Sequence, residues 1–193
     1  MKLLFGMKHT LIPVALFLSC SGRQIPENIY QDQNCINLES GQKGFIQLAK
    51  REEPGEPLLI YGKVIDRQTN RPIKDASLFL YQTDSSGIYN AAGGPDDQAR
   101  LRGTVQTNES GCFKIKTILP DDYPRQKNSR HLHYVINAKG YKELRSLLFF
   151  KGFTTENITS EGPLAVVDIK KEKNGTRTGS IDMKMELSNS SIR

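Results

Sequence analysis

The sequence predicts an all-β domain, a β-sandwich or open barrel of short antiparallel and mixed strands. Three observations lead there. Prolines, glycines and β-branched residues are frequent, and no long stretch rich in Ala, Leu and Glu offers a helical bundle. From residue 58 onward, short apolar runs recur between turn residues. Several of those runs alternate with a period of two, which sends successive side chains to opposite faces of a strand.

The first strand covers residues 58–66 and is closed by Arg67-Gln68-Thr69-Asn70. A second covers 76–83, where Ala76, Leu78 and Leu80 alternate with Ser77, Phe79 and Tyr81, so both faces are largely covered. Strands over 104–107 and 112–118 flank Asn108-Glu109-Ser110-Gly111, a hairpin signal. In the second of that pair, Phe113, Ile115 and Thr117 share one face and Cys112, Lys114 and Lys116 the other, which puts Cys112 on the outer face. Strands over 131–138, 144–150 and 164–169 follow, and Asn174-Gly175 marks a turn. In the last strand, 181–187, Ile181, Met183, Met185 and Leu187 alternate with Asp182, Lys184 and Glu186. The domain thus runs over 58–187, with a tail at 188–193.

Before it the chain has a different character. Met1-Lys2 and Met7-Lys8-His9 supply positive charge, and residues 11–18 form an apolar run too short to span a bilayer. Residues 1–19 read as a secretory signal, and Phe17-Leu18-Ser19-Cys20 resembles a relaxed bacterial lipobox. That resemblance implies cleavage before Cys20 and lipidation of its thiol, hence a lipid-anchored protein of the bacterial envelope (periplasm or outer membrane). The alternative is an ordinary signal peptide with an incidental cysteine. Residues 20–57 are polar and irregular and end in Glu52-Glu53-Pro54-Gly55-Glu56-Pro57, as a tether or arm would; a short helix is expected near 44–50. Setting Cys20 aside leaves Cys35 and Cys112. In an oxidising envelope they make one disulfide, with the arm carrying Cys35 reaching the outer face at Cys112; the alternative is two free thiols.

The 27 Lys and Arg against 21 Asp and Glu give a formal charge of +6, scattered along the chain rather than clustered. A nucleic-acid partner would need a basic stripe, and there is none in the sequence. Membrane contact is expected through the lipid anchor alone.

His131-Leu132-His133 is the sharpest chemical feature. Of three histidines one lies in the signal segment, so both others fall in this motif. Residues two apart on a strand point to the same face, and two imidazoles can then converge on one ion. Alone, such a pair is equally a surface feature with no ligand. Tyr89 follows Ser86-Gly87-Ile88, just past a strand ending Tyr81-Gln82-Thr83-Asp84, and Tyr123 sits in Pro120-Asp121-Asp122-Tyr123-Pro124.

In that order these elements resemble the intradiol ring-cleavage dioxygenases, the family of protocatechuate and catechol ring-opening enzymes. The matching stretches are Gly62-Lys63-Val64-Ile65-Asp66, Pro72-Ile73-Lys74-Asp75-Ala76, Tyr81-Gln82-Thr83-Asp84, Gly87-Ile88-Tyr89, Tyr123-Pro124 and His131-Leu132-His133. The resemblance implies a prealbumin-like sandwich and a non-haem Fe(III) held by two tyrosines and two histidines. Tyr89 and His131 are the implied equatorial ligands. Tyr123 and His133 are the axial ones, with Tyr123 displaced when substrate binds. Phenolate is a hard anionic donor, and two of them favour Fe(III) over softer divalent metals. A phenol titrates near pH ~10, but a bound cation holds it deprotonated. The implied substrates are a small aromatic diol and O2, the ring opening between the hydroxylated carbons.

The chain departs from the family pattern at three places. Asn128 stands where an arginine is expected three residues before the first histidine, which leaves Arg130 or Arg125 to stabilise charge on the substrate; Arg130 is the expected catalytic cation. Tyr81 replaces a tryptophan before Gln82, and Phe153 an aspartate after a Phe-x-Gly step. Two other readings use the same residues. One is a non-catalytic transthyretin-like binding module, since such sandwiches serve many functions. The other is a zinc or copper site on His131 and His133 without tyrosine. The four-residue donor set is what separates the enzyme from both.

Overall fold

A computed structural model describes residues 34–154 and 165–188. The signal segment, Cys20, the first part of the arm, the start of the 164–169 strand and the tail past Ser188 lie outside the described residues. The strands are β1 (Phe45–Gln47), β2 (Pro57–Asp66), β3 (Ser77–Gln82), β4 (Leu101–Gln106), β5 (Cys112–Ile118), β6 (Ser129–Asn137), β7 (Leu144–Thr154), β8 (Ala165–Val167), β9 (Lys170–Lys171), β10 (Arg177–Ser180) and β11 (Met183–Met185). Among the described residues one 3-10 turn, Asp96–Gln98, precedes β4. The fold is all-β.

Two sheets face each other. One runs β1-β5-β2-β10-β9, with β11 on the far half of β2; the other runs β4-β3-β6-β7-β8. The sheets are mixed: β9–β10, β2–β5, β3–β4, β3–β6 and β6–β7 are antiparallel, and β1–β5, β2–β10, β2–β11 and β7–β8 are parallel. Leu58, Ile60, Val64, Phe113 and Ile115 from the first sheet meet Leu78, Leu80, Leu132, Ile136, Leu148 and Phe150 from the second in one buried core. Each such side chain contributes about 1.5–3 kcal/mol on burial, which fixes which face of every strand looks inward.

The motif Gly-x-Val-x-Asp at the start of the domain has a structural cause. At Gly62 an added Cβ would stand 1.9 Å from the Ile181 carbonyl oxygen, so the link between β10 and β11 passes too close for a side chain. Asp66 closes the following turn: its Oδ1 accepts from the backbone N–H groups of Gln68 and Thr69, and Tyr141 donates to its Oδ2.

Three expectations are revised. No helix forms over 44–50. Gly44 is left-handed (φ +97°), and there a Cβ would lie 2.7 Å from the Cys112 carbonyl oxygen. Phe45–Gln47 then pairs with β5, and the arm becomes a sheet edge. The turn at Asn108–Gly111 is present, its Asn108 Oδ1 accepting from the N–H groups of Ser110 and Cys112, yet it joins strands of different sheets. Thr107 explains this: its hydroxyl donates to the Ile73 carbonyl and accepts from the Ala76 N–H, holding the end of β4 beside β3 while Cys112 pairs with Lys63. Finally, the 181–187 strand contracts to β11, and β10, which the sequence reading lacked, pairs with β2 before it.

Cys35 and Cys112 are joined in a disulfide with a Cα separation of 5.2 Å, and both are fully buried. Lys114 reinforces the junction by donating to the carbonyls of Ile36 and Leu38, each at 2.6 Å. The bond therefore clamps the arm to the outer face of β5. Reduction is expected to remove about 2–4 kcal/mol of stability. Thermal denaturation with and without reductant checks this: the wild type should lose melting temperature on reduction, whereas a Cys35→Ser, Cys112→Ser variant should start low and not respond.

Candidate metal centre

Strand β6 sets the two histidines. Leu132, Tyr134 and Ile136 point into the core, so His131 and His133 project together from the outer face of the second sheet. The ladder with β7 shifts register between Ser129 and His131. At that irregularity the Ser129 carbonyl takes a hydrogen bond from Nδ1–H of His131. A carbonyl can only accept, so in the neutral ring the proton sits on Nδ1 and the Nε2 lone pair faces the site. His133 is fixed differently, by parallel stacking on Tyr81 with 4.3 Å between ring centroids.

The tyrosines come from two loops that are stitched to each other. After β3, Asp84 Oδ1 accepts from the N–H of Ser86, the Ser86 hydroxyl and the N–H of Ile88, winding the chain tightly up to Tyr89. The second loop is tied to the first where the Thr83 hydroxyl donates to the Asp121 carbonyl and the Asp121 N–H to the Asp84 carbonyl. Gly87, left-handed at φ +77°, sits against the Asp122 carbonyl, where a Cβ would be only 1.9 Å away. Ser129 closes the second loop. Its hydroxyl accepts from the Tyr123 N–H and donates to the Gln126 carbonyl, and its own N–H donates to Asp122 Oδ1.

Four polar atoms meet as a result. The Tyr89 hydroxyl is 2.6 Å from that of Tyr123, 2.8 Å from His133 Nε2 and 3.4 Å from His131 Nε2. Tyr123 is 3.1 Å from His131 Nε2, and the two Nε2 atoms are 2.9 Å apart. Donors held about 2.0–2.1 Å from one ion lie about 2.9 Å apart at a right angle and about 3.3 Å at a tetrahedral one. The separations of 2.8–3.4 Å thus suit ligands around a single cation, while the two hydroxyls at 2.6 Å are a hydrogen-bonded pair.

The electrostatics fit as well. Burial pushes the Tyr89 and Tyr123 hydroxyls above the usual phenol range, with the bond from Tyr123 adding to the effect at Tyr89. Burial also lowers His131, and it drives His133 down to about 3 with help from His131 and Arg145. Left to themselves these are two neutral phenols and two neutral imidazoles, with lone pairs crowded together out of water. A cation among them reverses the penalty on the phenolates, as expected of an anionic, hard oxygen pair beside nitrogen.

All four residues named from sequence as ligands are thus brought together, and Arg130 is not among them. It sits at the register shift before His131, and its guanidinium pairs with Asp121 at 2.6 Å and lies 5.0 Å from the centroid of the Phe153 ring. Its place is to brace the Tyr123 loop. Asn128 is itself left-handed (φ 59°), a conformation asparagine tolerates far better than arginine. The sequence reading includes Asp84 and Gly87 only as parts of matching stretches and does not name Ser129, so their positioning roles come from the structure, although Asp-Ser-Ser-Gly is a legible side-chain-capped turn. Replacing Gly87 with Ala should cost about 2–4 kcal/mol from the left-handed backbone and the contact with Asp122. Urea denaturation checks it, and a midpoint equal to the wild type would show that the two loops are not locked through this residue.

The chain is similar to several known proteins. The chain is 32% identical over 114 residues to a 6-chlorohydroxyquinol 1,2-dioxygenase of Cupriavidus pinatubonensis, which covers 51% of this chain and 41% of that protein. It is 26% identical over 130 residues to an intradiol ring-cleavage dioxygenase of Aspergillus niger, covering 59% and 39%. The chain thus spans about two fifths of the length of these curated relatives. In fold it is similar to the dioxygenase domain of a dioxygenase and carbohydrate-binding protein fusion from Streptomyces sp. SirexAA-E, with a TM-score of 0.61 and 24% identity, over 78% of this chain and 97% of that one. A family model described as Dioxygenase matches residues 33–161, about two thirds of the sequence, and with these relatives it shows that the chain belongs to the intradiol ring-cleavage dioxygenase family.

Proposed function

We propose that this protein is a ferric intradiol dioxygenase that opens the ring of a catechol-type diol with O2. The observation that carries the reading is the convergence of two phenol oxygens and two imidazole Nε2 atoms at 2.6–3.4 Å. Tyr89, Tyr123, His131 and His133 would hold the iron. When bound, Fe(III) would supply a Lewis acid that stabilises phenolate oxygens.

The remaining steps belong to the chain itself. Tyr123, on a loop closed by Ser129, would be the donor that gives way to the diol, its oxygen taking up one of the diol's protons. His131 stays fixed through Nδ1, and His133 through its stack on Tyr81. Tyr81, Leu147 and Phe149, on the histidines' side of the sheet, offer apolar walls to an aromatic ring and exclude water from its edge.

Iron analysis, visible absorption and oxygen uptake test this. The purified protein should carry about one iron per chain and absorb in the visible through phenolate-to-iron charge transfer. Tyr89→Phe and Tyr123→Phe should each shift or weaken that band, because each removes one anionic donor and keeps the ring. Catechol or hydroxyquinol should perturb the band and start oxygen consumption. A colourless protein that stays free of iron after ferric loading would defeat the proposal.

The envelope location is part of the same proposal and rests on the apolar run ending in Ser19-Cys20. Metabolic labelling with a fatty acid should tag the wild type and spare a Cys20→Ala variant; equal labelling of the two would exclude the anchor.

A further inference from the structure

The register of the second sheet decides what surrounds the four donors. Leu147 stands directly across from His133, and Arg145 directly across from Val135, both on β7. On the other side of β6, Tyr81 faces His133 and Phe79 faces Val135. Paired residues on neighbouring strands project to the same face. Arg145, Leu147 and Phe149 therefore share the side on which the imidazoles emerge.

Two guanidinium groups are carried to this face among the described residues. Arg102, opposite Tyr81 on β4, is tied down: it donates to the carbonyls of Gln98 and Ala99 at 2.7 and 2.8 Å. Arg145 is held loosely. Its side chain is 66% exposed and meets the Glu143 carboxylate, itself 48% exposed, at 3.3 Å, the kind of surface pair that contributes little. Diagonal neighbours on adjacent strands stand about 7–8 Å apart. A guanidinium starting from that distance reaches the far side of a ring whose two hydroxyls are at the cluster and whose face lies on Leu147.

We propose that Arg145 is a specificity-determining residue, binding an anionic substituent, a carboxylate in the simplest case, on the ring of the diol. This rests on the function proposed above. It also gives the site a substrate-facing cation in place of Arg130, which the fold turns away, and of the arginine that Asn128 replaces.

The test measures dissociation constants of catechol and of protocatechuate (the catechol with a ring carboxylate) by the change each makes in the visible band of the iron-loaded full chain without oxygen. The readout is the ratio of the two constants. The wild type should prefer protocatechuate, and Arg145→Ala should lower that preference about tenfold or more, the size of one charge-assisted hydrogen bond. Arg145→Lys should recover part of it, since the charge stays while the fork is lost. Glu143→Gln should raise it by releasing the guanidinium. A preference that Arg145→Ala leaves intact, with the iron content and band of the wild type, overturns the assignment while the dioxygenase reading stands. A wild type that binds neither diol overturns both.

Discussion

The alternation of β6 is the constraint on which the rest depends. Leu132 and Ile136 are fully buried in the core, with Tyr134 between them. A slip of one residue would expose all three and force two imidazoles into the hydrocarbon interior. At about 1.5–3 kcal/mol per buried side chain, the core allows one register. His131 and His133 are therefore placed by residues that never touch the site. Their cross-strand neighbours follow without further choice: Tyr81 and Leu147 beside His133, Phe149 beside His131.

The tyrosines needed a different solution, because both sit in irregular backbone. Local hydrogen bonds replace the ladder there. Asp84 winds one loop, Ser129 closes the other, and Gly87 lets the two touch where no side chain would fit. Two strand residues and two loop residues thus reach one point from opposite directions. The desolvation this imposes is what gives the point its chemistry. Burial disfavours both phenolate and imidazolium, and a metal ion is the one kind of partner that stabilises two phenolates while using two neutral imidazole lone pairs.

How much of this was legible differs by element. The core strands could be read because period-two alternation writes the inward face directly into the chain. Strands β1 and β10 could not: Phe-Ile-Gln and Arg-Thr-Gly-Ser have no pattern of their own and become strands by pairing with β5 and β2. The turn at Asn108–Gly111 was visible, but its crossing between sheets depends on Thr107 gripping Ile73 and Ala76, a contact that links residues more than thirty positions apart. At the site, donor types and order were readable from the Gly-x-Tyr and His-x-His spacing. Arg130 could not be placed by alternation, because it lies at the register shift between Ser129 and His131; only its contacts with Asp121 and Phe153 show where its guanidinium goes.

Arg145 makes the complementary point, since nothing near it in the chain marks it and only the β6–β7 register brings it forward. Because stability and chemistry use alternate residues of the same strands, they can vary independently. Leu144, Ser146 and Leu148 of β7 share the inward parity, while Arg145 and Leu147 line the outer face at intermediate or high exposure. Substitutions at such accessible positions usually change stability by less than about 0.5 kcal/mol. The sheet can therefore hold its two histidines in place through the core while the outer residues of β7 alter what approaches them. In this fold the direction of the histidines is a property of the register, and what lies beside them is a property of the face.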